Sequence, residues 1–426
     1  MAQDLDHLGR PIIVVTGMGI ITALGQGQAD NWKALTGGVS GLRRITRFPI
    51  AGMRTTVAGT VDFIPVDEMS APALSQRLAE LVIEEAVAEA GIGSKGDFPG
   101  PLCLALPPVE MEWPQRLALA AAAGAAETVD YAALLRAAGS GDFERFYRRF
   151  LFGSVAEGLA DRFGTKGSPV ATSTACASGG TAIQLGVEAI QRGEADAALC
   201  VGTDASVNPE SLIRFSLLSA LSTRNEPPSA ASRPFSKDRD GFVMAEGAGA
   251  LVIESLEHAR ARGAKILGVL EGCGEAADGF HRTRSSPDGK PIIACMRRAL
   301  DDAGLAPEDI DYINAHGTGT PENDKMEWVG VSTVFGERAG SIPISSNKSM
   351  IGHALTAAGA VEAIFSLLTI RNGVLPPTIN YDIPDPALPL DCVPNVARPG
   401  HVRHAISNSF GFGGQNVCLV LGAEPR

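Results

Sequence analysis

Cys176 sits in the stretch 172-TSTACASGG-180, among residues with almost no side chains, and the helical run 181-TAIQLGVEAI-190 follows it directly. A thiol at a strand-to-helix turn faces unpaired amides and the positive end of the helix dipole, which favour thiolate over thiol. Small neighbours leave room for a bulky acyl group to reach the sulfur, so the chemistry on offer is nucleophilic, through a covalent intermediate. Two histidines stand in comparable settings. His316 opens 316-HGTGT-320 and His353 closes 347-NKSMIGH-353, each beside a glycine and after an apolar run. Strand ends of this kind present side chains to clefts. His7, His258, His401 and His404 lack such a setting and read as ordinary core or surface residues. A third loop, 407-SNSFGFGGQN-416, has no G-x-G-x-x-G spacing and no helix after it, so its amides suit an oxyanion better than a phosphate.

The elements that must position these groups follow an α/β rhythm. Aliphatic and β-branched runs at 11–20, 197–205, 248–254 and 341–347 read as strands, and longer patterns at 76–90, 180–193 and 354–373 as helices. A short strand, a small-residue turn and an Ala/Gly-spaced helix occur twice, around Cys176 and around 346–363. That repetition points to a duplication whose halves meet near 262–272. The expected division is 1–264, with the cysteine, and 265–426, with both histidines and the glycine loop.

Composition bounds the rest. With 426 residues, 45% hydrophobic and 20% charged, the chain can bury a large core. A net charge of -12 argues against wholesale attraction to nucleic acid, while a local basic patch could still receive an acidic partner. Seven scattered cysteines show no CxxC or Cys/His spacing, which implies no metal site and reduced thiols in a cytoplasm. The first residues carry no export signal. The run 117-LALAAAAGAA-126 is too short to cross a bilayer and reads as a packed helix, so no membrane insertion is expected.

Four motifs, T-A-C-x-S at 174–178, H-G-T-G-T at 316–320, N-K-S-M-I-G-H at 347–353 and N-S-F-G-F-G-G at 408–414, together resemble the β-ketoacyl-acyl-carrier-protein synthases of the class II type. Matches at 14–25, 220–254 and 355–382 extend the resemblance over nearly the whole chain except 104–152. It implies an α/β, thiolase-like five-layer αβαβα sandwich of two pseudo-symmetric halves, usually a homodimer, with no cofactor and no metal. Cys176 would take an acyl chain from acyl carrier protein as a thioester, and malonyl-carrier protein would lose CO2 and attack it. By the same resemblance His316 and His353 stabilise the enolate, and the Cys176 and Phe412 amides form the oxyanion hole. Phe412 also gates the acyl pocket, and Lys348 tunes the site electrostatically and holds His353. Asp324 and Glu327 order the network, unless they form a solvated helix start, and Thr318 and Thr320 bind the pantetheine arm.

Two departures stand out. Where the family has a glycine-rich stretch, this chain has Pro107 and Pro108, with Val109 nearest to a pocket-floor residue and a helical continuation through 143–150. Of the family's basic run near 70–80 only Arg77 remains, leaving Arg145, Arg148, Arg149, Arg282 and Arg284 as other sources of charge for an acidic carrier. Both departures point to a specialised carrier and a long primer, about 16 carbons or more if each buried methylene contributes. The pattern is similar to condensing enzymes of alphaproteobacterial very-long-chain acyl assembly for lipid A. A thiolase would place a second cysteine in the 408–416 loop, and a class III synthase an asparagine at the second histidine. A non-catalytic, chain-length-determining partner of another ketosynthase would lack Cys176.

Overall fold

The computed structural model describes residues 4–93, 96–124 and 130–426. Its N-terminal half contributes strands β1 (Ile13–Thr22), β2 (Leu102–Ala105), β3 (Val170–Thr172), β4 (Ala197–Asp204) and β5 (Gly247–Ser255). The C-terminal half contributes β6 (Gly268–Ala277), β7 (Tyr312–Asn314), β8 (Ile344–Ser345), β9 (His404–Phe410) and β10 (Gln415–Gly422). The spatial orders, β3-β2-β4-β5-β1 and β8-β7-β9-β10-β6, are the same order twice. Strand directions correspond as well: β2 is parallel to β3 and β4, as β7 is to β8 and β9. The fifth strand of each half runs antiparallel to its two neighbours. The halves join where β1 pairs with β6 at Ile13–Leu270, Val14–Val269 and Val15–Gly268.

Helices cover both faces of each sheet, which is why β1, β4 and β5 are buried at every residue and do not alternate with polar positions. The outer N-terminal layer is α1 (Ala71–Ala90), started by Ser70, whose hydroxyl accepts from the Ala73 amide at 3.3 Å. Leu74, Leu78 and Val82 of α1 pack on Leu199 and Val201 of β4. Between β2 and β3 the described residues form four short helices, α2 (Trp113–Ala122), α3 (Tyr131–Ala138), α4 (Glu144–Arg149) and a fourth at Ser154–Phe163. The expected packing of the 117–126 run does not occur. Leu117 is 62% exposed, and Gln115 is the buried residue of α2. Residues 125–129 lie outside the described residues. The run 341–347, expected as one strand, is strand only at Ile344–Ser345, because Ser346 and Asn347 already turn toward the site.

The middle layer is α5 (Ser178–Gln191), and after it come α6 (Pro209–Leu217), α7 (Lys290–Ala303), α8 (Pro321–Phe335) and α9 (Ala358–Asn372). Helices α5 and α9 share one core with strands of both halves, and α7 and α8 cover the outer C-terminal face. The chain thus forms the five-layer αβαβα sandwich of two similar halves. Because α9 lies between two sheets, it is buried on every side from Ala358 to Thr369, including Glu362, its only charged residue in that span.

The two middle helices cross at their first turns. A side chain at Gly179 would bring its Cβ to 2.5 Å from the Ala360 amide nitrogen, and one at Gly359 to 2.4 Å from that of Gly180. Both obstacles are backbone, so neither can swing aside. Gly179→Ala should therefore cost about 1–3 kcal/mol by overpacking, read as a lower urea midpoint of unfolding; an unchanged midpoint would contradict this contact.

Candidate active site

The Cys176 turn is built by symmetry. Residues Ala175–Ala177 make a 3-10 turn before α5, and Leu355–Ala357 make the matching turn before α9. Ala175 and Leu355, both non-glycine, hold φ of 50° and 44°, a conformation that side chains resist and that packing must impose. Each strained residue pushes the next side chain outward: Cys176 in one half, Thr356 in the other. The Thr356 hydroxyl is occupied, donating to buried Asp204 at 2.7 Å, whereas Cys176 is half-buried and lines two cavities. The Phe412 amide donates toward the Cys176 sulfur, which by itself favours the thiolate. Burial nevertheless outweighs this amide and the Lys348 charge, pushing the thiol up to about 11. The resting group is a thiol, and the thiolate expected from the turn alone does not prevail.

His316 follows β7, and His353 follows the single helical turn Lys348–Ile351. The backbone of His353 pairs with the N-terminal half through Val243 O at 2.7 Å and the Ala245 amide at 2.9 Å. The two imidazole rings stand 5.3 Å apart at 82°, each 1% exposed. The Leu355 amide donates to His353 Nδ1 at 3.2 Å, and the Lys348 ammonium donates to His316 Nδ1 at 3.4 Å. Each Nδ1 is an acceptor, so each Nε2 carries the ring proton. Among the described residues His353 Nε2 has no partner. Burial, and then the Lys348 charge, hold both rings well below the usual histidine range, so they stay neutral donors.

Lys348 is itself 1% exposed. Its Nζ donates to the His316 carbonyl at 2.7 Å and makes a short ion pair with Glu362. It therefore engages His316 directly, not His353 as expected. Burial raises Glu362 to about 7 against the pull of Lys348. Asp324 and Glu327 on α8 are completely buried, which excludes the solvated helix start. Glu327 accepts from the His316 and Gly317 amides at 2.8 and 2.7 Å and from Asn408 at 3.1 Å, and burial raises it to about 7. Asp324 accepts from Phe235 at 2.7 Å and Gly319 at 3.1 Å, clamping the far end of the same loop.

Thr318 and Thr320 share a hydrogen bond of 2.9 Å on the wall of the first cavity, of about 460 Å3, which both histidines also line. The second cavity, of about 550 Å3, runs past Pro107, Pro108 and Val109. Cys176 and Phe412 line both, so Phe412 stands at the boundary between them. All the residues singled out from the motifs thus converge. Glu362, Asp204 and Asn408 were missed, as was His281, which lines the first cavity. The legible signal for Glu362 was a lone carboxylate inside an apolar helical run. Donor atoms of Cys176, His316 and His353 lie within 4.8 Å of one another, a set that could hold zinc in other tautomers. With both Nδ1 atoms accepting, each Nε2 keeps its proton and offers a metal no lone pair.

A duplicated α/β sandwich that brings a thiol and two neutral imidazoles between two cavities has the organisation of a thiolase-type condensing acyltransferase. The comparisons agree. Residues 11–259 match the β-ketoacyl synthase N-terminal domain and 267–382 the β-ketoacyl synthase C-terminal domain, and the chain belongs to the β-ketoacyl synthase family. It is 38% identical over 414 residues to the 3-oxoacyl-[acyl-carrier-protein] synthase 2 of Coxiella burnetii, spanning 96% of this chain and 98% of that protein. It is 36% identical over 423 residues to the tetracenomycin polyketide synthase ketoacyl synthase alpha subunit of Streptomyces glaucescens, spanning 97% of each. One chain of a solved complex of a type II polyketide acyl-carrier protein with its ketosynthase, bound to the hexaketide, superposes with a TM-score of 0.87 at 34% identity, over 97% of this chain and 100% of that one. The chain is a 3-oxoacyl-acyl-carrier-protein synthase II-like acyltransferase.

Two outcomes follow from this geometry. With the thiol near 11, the rate of Cys176 alkylation by iodoacetamide should rise about tenfold per pH unit from neutral to alkaline pH, tracking the thiolate fraction. A plateau at or below neutral pH would show a preformed thiolate. Glu362→Gln should cost about 3–5 kcal/mol, because it leaves a buried ammonium without its partner. The double variant Lys348→Met/Glu362→Leu should regain most of that stability, measured by denaturant unfolding, yet remain poor in malonyl decarboxylation.

Proposed function

We propose that the chain catalyses decarboxylative Claisen condensation of an acyl group on Cys176 with malonyl-acyl-carrier protein. Cys176 attacks the carrier-bound acyl thioester. The pantetheine thiol leaves with a proton, and the acyl group stays on Cys176. Malonyl-carrier protein then enters the first cavity, where Thr318 and Thr320 offer hydroxyls to the amides of its arm. Loss of CO2 sends an electron pair onto the thioester oxygen, and the Nε2 protons of His316 and His353 hold that enolate in a water-poor site. The enolate carbon attacks the Cys176 thioester, whose oxygen turns to the Cys176 and Phe412 amides. Cleavage of the carbon–sulfur bond gives 3-oxoacyl-carrier protein, and the sulfur takes up a proton. The observation that carries this reading is the convergence of one thiol with two imidazoles whose tautomers are both set as donors.

In this reading the catalytic set divides at 264/265 between a nucleophile half and a decarboxylation half. An acidic carrier docks at the mouth of the first cavity. Arg284 and Lys325 line it, and neither they nor Arg282 has an ion-pair partner among the described residues. Arg77, Arg148 and Arg149 pair instead with Glu80, Glu144 and Glu68. The exposed apolar residues Trp113, Leu117, Tyr131 and Leu135 support burial of α2 and α3 against a second copy, as a homodimer. The size of the second cavity and its Pro107–Val109 wall support a long primer, of the kind that very-long-chain assembly for lipid A requires. Among the described residues no helix is long and apolar enough to cross a membrane, and a cytoplasmic setting with carrier-bound substrates is proposed. A non-catalytic role beside another ketosynthase has Cys176 and its complete surroundings against it.

A reconstituted assay with carrier-bound primers from octanoyl to octadecanoyl tests the proposal. The wild type should favour the longest members. Cys176→Ala should form no 3-oxoacyl product yet still release CO2 from malonyl-carrier protein. His316→Ala and His353→Ala should each lose CO2 release by about 100-fold or more, the usual scale for an oxyanion donor. Product formation by Cys176→Ala would remove the nucleophile assignment.

A further inference from the structure

The wall of the second cavity contains an acid that the reaction does not use. Glu210, the second residue of α6, lines this cavity and is 7% exposed. One of its carboxylate oxygens, Oε1, accepts from the Trp113 amide and so caps α2. The other, Oε2, is buried with no hydrogen-bond partner among the described residues. The acids around it are already engaged. Glu112 accepts from the Ala71 amide at 2.6 Å and from Asn208 at 3.4 Å, and Glu110 pairs with Arg214 and Arg116. Capping therefore explains one oxygen of Glu210 and leaves its neighbour without a donor. Buried acceptors are rarely left so, and this one belongs to a residue on the wall of a cavity that Cys176 also lines.

We propose that Glu210 is a specificity-determining residue that accepts a hydrogen bond from a hydroxyl on the acyl chain carried by Cys176, so that the preferred primers are hydroxylated. This rests on the condensing reading above and adds the chemical class of the primer. The rest of the wall suits such a chain. Val109, Phe215, Leu218 and Leu355 offer apolar contact to methylenes, and among the carboxylates of this wall Glu210 keeps one buried oxygen without a donor. A hydroxyl supplies the missing donor without bringing a charge out of water, as an ammonium would. A site built to hydrogen-bond a substrate hydroxyl discriminates strongly against the chain that lacks it, because the acceptor is then left bare.

The test sets each plain primer against partners of equal length, with the hydroxyl moved stepwise along the chain, and against methyl ethers at the same positions. In the wild type one hydroxyl position should raise kcat/KM by about tenfold over the plain chain, the upper range of one buried hydrogen bond. The matching ether, which has no proton to donate, should lose that advantage. Glu210→Gln keeps an oxygen for the Trp113 amide and puts an N–H where Oε2 stood. The ratio of hydroxyl to ether rates should then fall by about tenfold, a gain toward ethers that misfolding cannot imitate. Equal rates for plain and hydroxylated chains at every position would mean that water alone occupies the site and would overturn the proposal. So would an unchanged ratio in Glu210→Gln. If the wild type elongated no primer of any kind, the condensing reading itself would fall, and the proposal with it.

Discussion

A lysine ammonium buried with one carboxylate sets the terms for this site. Lys348 belongs to the turn that ends in His353, Glu362 belongs to the central helix α9, and their ion pair ties the turn to the helix. From there Nζ reaches the carbonyl and Nδ1 of His316. A fixed positive charge in a low-dielectric interior keeps nearby imidazoles from taking a second proton. Desolvation works in the same direction, so two rings that would be half-protonated in water near pH 6.5 are neutral here. The pair is expensive to bury, and its gain is the orientation and protonation state it imposes on its neighbours. Packing and chemistry share the same helix, since α9 buries Glu362 with the apolar residues that hold the two sheets together.

The duplication supplies the geometry, and its broken symmetry supplies the chemistry. Both halves deliver a strained turn and an outward side chain at the crossing of α5 and α9. Thr356 spends its hydroxyl on Asp204, which fixes the crossing, while Cys176 stays open to two cavities. The histidines come from the second half, but His353 is held by backbone pairing with the first. Neither half contains a complete site. Phe412 sits where the cavities meet, so two separate spaces approach the sulfur from different sides.

Much of this was legible in the sequence because its signals are local. The repeated strand, small turn and Ala/Gly helix required only adjacent residues, and they marked the duplication; the fold then brings Gly179 and Gly359 of the two copies into close contact. The histidines announced themselves through the glycines beside them. What escaped notice depends on contacts between distant segments. Glu362 looks like an odd residue in an apolar helix until the fold places Lys348 against it. The Cys176 turn predicts a thiolate, but burial by segments far along the chain decides the balance the other way. Residues 117–124 have a core-like composition and yet lie largely exposed, with none of them in the hydrophobic clusters beneath α1.

The central claim, that burial together with the Lys348 charge keeps His316 and His353 neutral while Lys348 and the Leu355 amide place each ring proton on Nε2, is open to direct measurement by 15N NMR of histidine-labelled protein. Comparison with single His316→Gln and His353→Gln variants would assign the two rings. The account predicts two neutral rings, each with a protonated Nε2 and an unprotonated Nδ1, unchanged as the pH is lowered from 8 through the usual histidine midpoint of about 6.5. An imidazolium signal from either ring in that range, or a proton on either Nδ1, would contradict it.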